Sequence, residues 1–191
     1  MKKPPLTPEE RLVRVLRISK LNGLSIAVVA GVCALGSLLF GDWMGAAVGA
    51  IVTVGGLMEL SGRRQLLHGD ADGMLRLVRS QMLVLGVIVV YAVSRLASFD
   101  LDSALGNLTP DMRNDLTQSG VDLAAITPMV RLMFYAMYGS VAVVTLIYQG
   151  GMALYYRRRT DVVKQALAAR LRPVVPPPKL ARAGDPEDWV T

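Results

Sequence analysis

Between Lys20 and Asp42, 21 consecutive residues carry no charge. In a helix rising ~1.5 Å per residue that run is about 30 Å long, the thickness of a bilayer's hydrocarbon core. Inside hydrocarbon, backbone N–H and C=O groups must be satisfied within the segment, so such a run has to be helical. The pattern recurs along the chain. Leu132 to Tyr156 is a second charge-free run, of 25 residues. Trp43 to Leu60 has one acid, Glu59, near its far end, and Ser80 to Ser94 is charge-free over 15 residues. Fifteen residues fall short of the roughly 20 that a span needs. Extending that run through Arg95 to Phe99 supplies the length, with the guanidinium reaching to the interface.

The distribution of Lys and Arg predicts how these spans are threaded. Eighteen of the 21 fall within 1–20, 61–79 and 157–191, whereas 100–127 holds five Asp and one Arg. Basic flanks resist translocation, so the three basic stretches are expected in the cytoplasm and the acidic one outside. The expected fold is all-α integral membrane, with four transmembrane helices and both termini inside. Residues 1–20 read as an interfacial amphipathic helix, opened by a capping box at Thr7-Pro8-Glu9-Glu10 and carrying Leu12, Val15 and Leu16 on one side. A first hairpin of two spans (21–60), a cytoplasmic basic loop (61–79) and a third span (80–99) follow. An acidic periplasmic cap (100–127) leads to the fourth span (128–156), capped at Thr127-Pro128. The end (157–191) reads as a cytoplasmic basic helix and a Pro-rich tail.

Composition agrees with this class. Hydrophobic residues make up 52% of the chain and mean hydropathy is +0.41, a balance that soluble domains rarely reach. The net charge of +6 flanks apolar runs, so the expected partner is anionic lipid headgroups and not nucleic acid. The single cysteine, Cys33, permits no intramolecular disulfide and reads as a small apolar packing residue. Arg greatly outnumbers Lys, a weak sign of a bacterial source, and a bacterial inner membrane is the expected location.

Chemistry-bearing motifs are sparse. His68, Asp70 and Asp72 form the one cluster that could hold a metal, with Glu59 at the end of the second span as a further oxygen donor. The Asp70-Ala71-Asp72-Gly73 core resembles the start of a calcium loop and of the lipid-headgroup transferase signature. Gln81 stands where a calcium loop needs its twelfth-position acid, and the transferase's second Asp pair is missing. A turn and helix cap is the simpler reading, and no cofactor is expected. The spans read as free of charge at their midpoints, which argues against an ion-coupled carrier.

Two other features bear on function. Gly45 and Gly49, followed by Gly55 and Gly56, make a smooth helix-packing face, for the first helix or for another chain. Arg95 and Arg131 lie at the outer ends of spans three and four, as interfacial anchors or as a ring of pore charge. The expected role is a non-enzymatic oligomeric or accessory subunit of an inner-membrane assembly, acting through self-association or other membrane subunits. The alternatives are a homo-oligomeric channel or small-solute transport protein, with Ser94, Thr145, Tyr91 and Gln149 as wall residues, and, more weakly, a lipid-modifying enzyme using His68, Asp70 and Asp72.

Overall fold

The computed structural model describes residues 6–98, 111 and 123–171. Most of the acidic cap and the Pro-rich tail lie outside the described residues. The described residues form four long helices, α1 (Pro8–Leu39), α2 (Trp43–Leu67), α3 (Gly73–Ala97) and α4 (Leu123–Leu171), and no strand. Each of the four is long and apolar enough to cross a membrane.

Local chemistry sets the helix ends. The Thr7 hydroxyl accepts from the Glu10 amide at 3.3 Å, and the Glu10 carboxylate accepts from the Thr7 amide at 2.8 Å. This reciprocal pair satisfies two otherwise orphaned donors, and Pro8 sits at the first helical position, where its missing N–H costs nothing. The α1–α2 turn closes through Gly41 at φ +74°, a conformation that residues with a Cβ avoid. Asp42 then caps α2 by accepting from the Gly45 amide at 3.0 Å.

Three boundaries differ from those expected. Residues 8–20 are no separate interfacial helix but the first turns of α1, which runs unbroken to Leu39. The basic helix after Arg157 is likewise continuous with the fourth span. No Gly or Pro separates span from extension at Ile18–Leu21 or Tyr155–Asp161, so nothing ends either helix at the charge boundary. The fourth helix starts before the Thr127 cap, at Leu123, and Pro128 lies within it. So near a helix start, proline forfeits only one backbone bond.

At ~1.5 Å per residue, α1 is about 48 Å long and α4 about 74 Å, against roughly 30 Å of hydrocarbon. The excess lengths pack on each other and on the α2–α3 turn. Leu12 and Val15 of α1, Leu66 of α2, Met74 and Leu77 of α3, and Tyr156, Val163, Ala166 and Leu167 of α4 form one buried cluster. Leu12 and Val15, expected to face headgroups, are completely buried there. Burying such a side chain contributes about 1.5–3 kcal/mol, more than an interfacial position offers. An ion pair between Glu9 and Arg170, 2.9 Å, joins the tips of α1 and α4.

Further along, α2 approaches both neighbours through glycine. A Cβ on Gly56 would lie 2.7 Å from the Ala27 nitrogen and 2.8 Å from the Gly23 oxygen, and one on Gly49 would lie 2.8 Å from the Ala34 Cβ. Both therefore pack against α1. Gly55 faces the other way, towards Val84 of α3. The helices run in a circuit, α1 on α2, α2 on α3 and α3 on α4, with α4 returning only briefly to α1. The described bonds between α1 and α4 fall in the half that carries the termini.

Candidate functional site

The site begins with Glu59, the one buried acid among the described residues. Glu59 is completely buried, although it reads in sequence as a residue at the end of a span. One carboxyl oxygen accepts from Asn22 Nδ2 of α1 at 2.7 Å and from Gln81 Nε2 of α3 at 2.8 Å. The other accepts from the Tyr156 hydroxyl of α4 at 2.6 Å. Asn22 is held in turn, its Oδ1 accepting from the Tyr148 hydroxyl of α4 at 2.9 Å. One side chain of α2 is thus bonded to all three other helices. A carboxylate offers acceptors only, and burial is tolerable when several donors converge on it.

Neighbouring bonds fix the same register. The Ser80 hydroxyl donates to the Gly55 carbonyl at 3.0 Å, and Arg63 Nε donates to the Leu16 carbonyl at 3.1 Å. Arg63 follows Glu59 by about one helical turn, so the carboxylate sits next to the basic end of the bundle. Three buried polar atoms near this level have no hydrogen-bond partner: Gln81 Oε1, Gln149 Oε1 and the Tyr155 hydroxyl.

On the far side of this cluster the bundle opens. A cavity of about 490 Å³ lies among the helices, with Ser25 and Ile26 (α1), Val52 (α2), Val84 (α3) and Gln149 (α4) nearest the carboxylate cluster. Its other end is bounded by Ser37, Gly45 and Tyr91, and Cys33 lies between. From Ser25 to Ser37 is about 18 Å along α1. Gln149 is α4's one contribution to the wall, the other lining residues coming from α1, α2 and α3. A polar pair adjoins Tyr91 at this end. Arg95 reaches Asp42 at 3.3 Å, donates to the Tyr91 hydroxyl at 3.2 Å, and lies 5.2 Å from the centre of the Tyr91 ring.

The other residues singled out in the sequence are placed as follows. Gly45 lines the cavity and abuts Asp42 and Ser37, and Gly49 lines it while packing on Ala34. Tyr91 and Gln149 reach the cavity, whereas Ser94 is exposed and bonds to the Tyr91 carbonyl, and Thr145 is half-buried. Arg131 is exposed on α4 beside Thr127 and Tyr135. His68, Asp70 and Asp72 do not converge. His68 Nδ1 lies 2.8 Å from the Arg64 carbonyl, and the Asp70 carboxylate accepts from the Asp72 amide at 2.9 Å. Asp72 occupies the N-cap of α3 without a side-chain capping bond. No group of three or more potential metal ligands occurs among the described residues.

Glu59 lies near the end of its span, as the sequence indicates, but it is buried among the helices and does not flank them. The available signal was the set of polar side chains inside apolar runs: Asn22, Gln81 and Gln149. No known family model, curated protein or solved structure is matched by this chain.

Proposed function

We propose that this is a non-enzymatic, multi-pass protein of the bacterial inner membrane, with both termini cytoplasmic, that holds a lipid-soluble molecule between its helices. The observation that carries this reading is the cavity. Its volume is within the range of small-molecule sites, roughly 300–1,000 Å³, which are mostly apolar with a few placed polar groups. The walls are Val, Ile, Ala and Gly with Cys33, and Ser25, Ser37, Tyr91 and Gln149 are the polar exceptions. The free Gln149 carbonyl oxygen suits a ligand carrying a hydroxyl or amide donor. The pocket reaches the protein surface, where Val29 and Cys33 are exposed, and this gives a route in from the bilayer.

Assembly with other membrane subunits is a separate property and would use other surfaces, because Gly49 and Gly56 are occupied by α1. The test is native mass spectrometry of the full chain released from mild detergent. The wild type is expected to carry a low-mass adduct extractable into organic solvent, and Ala30→Phe, which fills the cavity, to lack it. An identical adduct on the folded Ala30→Phe variant would overturn the proposal.

A further inference from the structure

A second pocket, of about 440 Å³, lies between the terminus-bearing parts of α1 and α4. Its α4 wall consists of Gly151, Leu154, Tyr155, Arg158 and Arg159, and α1 contributes Arg11. Positions 151, 154, 155, 158 and 159 share one face of a helix. That face changes character along its length. Gly151 leaves open space where a side chain would stand and Leu154 is exposed and apolar, both within the uncharged run. Arg158 and Arg159 come directly after that run ends.

The three arginines are arranged for a ligand more than for each other. Arg11 Nε donates to the Leu6 carbonyl at 3.1 Å, which leaves its two terminal nitrogens available. Arg159 lies over the Tyr155 ring, 4.3 Å from its centre, which orients the guanidinium without using its hydrogen-bond donors. No carboxylate pairs with Arg11, Arg158 or Arg159 among the described residues. Three cations converging on one pocket repel each other unless an anion is present. The guanidinium fork matches the oxygens of a phosphate.

We infer that this pocket binds the phosphodiester headgroup of an anionic phospholipid, with the first part of an acyl chain lying along Leu154 and Gly151. The apolar half of the pocket favours a lipid over free phosphate, and the three uncompensated charges favour a headgroup with net negative charge over a zwitterionic one. The inference rests on the multi-pass membrane reading but not on what fills the cavity beyond Glu59.

The experiment is a binding titration of the purified full chain in neutral detergent. The probes are a phosphatidylglycerol, a phosphatidylcholine of the same acyl composition, and inorganic phosphate. Phosphatidylglycerol is expected to bind at least about tenfold more tightly than phosphatidylcholine, and Arg11→Gln to weaken it about tenfold or more, the scale of one charge-assisted contact. Arg14→Gln removes the same charge from the same helix outside the pocket and is expected to leave affinity within about twofold of wild type. Should Arg11→Gln fail to fold, Arg159→Lys carries the test: it keeps the charge but loses the fork and the stacking, so weaker lipid binding is again expected. Ala30→Phe is expected to bind the lipid as the wild type does, which separates this site from the cavity. Equal losses in Arg11→Gln and Arg14→Gln would reduce the effect to general surface charge and overturn the site. Equal affinity for the two lipids, or equal protection by inorganic phosphate, would overturn the ligand assignment.

Discussion

The Tyr156 hydroxyl donates to the Glu59 carboxylate at 2.6 Å across 97 positions of sequence. Asn22 and Gln81 complete the set of donors, so the relative heights of all four helices meet in one carboxyl group. Lipid is as apolar as the side chains that face it, and gives helices little hydrophobic reason to prefer one register. A polar knot that is satisfied in one alignment supplies that preference. Glu59→Gln and Tyr156→Phe should each destabilise the protein to thermal unfolding in detergent by about 1–3 kcal/mol. The double variant should cost less than the sum by about 1 kcal/mol or more, because Tyr156→Phe removes a bond that loss of the carboxylate charge has already weakened. Strict additivity would show that the two side chains act independently.

Glycine substitutions should divide by helix face. Gly56→Ala places a Cβ against the backbone of Ala27 and Gly23, so α1 and α2 must separate, at a cost of about 1–3 kcal/mol. Gly86→Ala, on α3 with nothing within 4 Å of the added carbon, should be neutral or stabilise by up to about 1 kcal/mol through better helix propensity. Melting temperatures of the two variants in one detergent check the contrast.

Asp42 and Arg95 make an asymmetric pair. Their side chains are 39% and 33% exposed, and pairs so open to solvent contribute about 0–1 kcal/mol. Asp42 also caps α2 through the Gly45 amide, a contact worth about 1 kcal/mol. Asp42→Ala should therefore lower stability more than Arg95→Ala does. Equal effects would mean that the ion pair outweighs the cap.

Leu12 is completely buried in the cluster where the extensions of α1 and α4 pack with the α2–α3 turn. Leu12→Ala should cost about 2–5 kcal/mol, while Val13→Ala, at a position 47% exposed, should cost under about 1 kcal/mol. A small effect at Leu12 would indicate that the extension does not pack as a stem.

The helices themselves were legible from charge-free runs and their lengths, since hydrocarbon leaves the backbone no other solution. Their continuity was not. Charge begins at Lys20 and Arg157, but charge marks a solvent boundary and does not break a helix, so α1 and α4 continue past it. Gly45 and Gly49 were legible as a close-packing face, yet their neighbour depended on tertiary structure. The burial of Glu59 was not legible either. Four positions before Arg63 it looks like a flanking charge, and its donors at 22, 81 and 156 follow no period that a sequence scan detects. Asn22 and Gln81, amides inside apolar runs, were the visible trace of it. The cavity wall was partly legible through Tyr91 and Gln149, whereas the α1 and α2 residues that line it depend on tertiary packing.

The claim that the cavity is a ligand site is tested most directly at Cys33, the chain's only cysteine and part of the cavity wall. Its rate of alkylation by a small membrane-permeant maleimide can be measured on protein in native membranes, on delipidated protein, and after a lipid extract of those membranes is added back. The account predicts fast labelling of the delipidated protein and several-fold slower labelling in the other two states, with no slowing by extract in Ala30→Phe. Equal rates in all three states would contradict it.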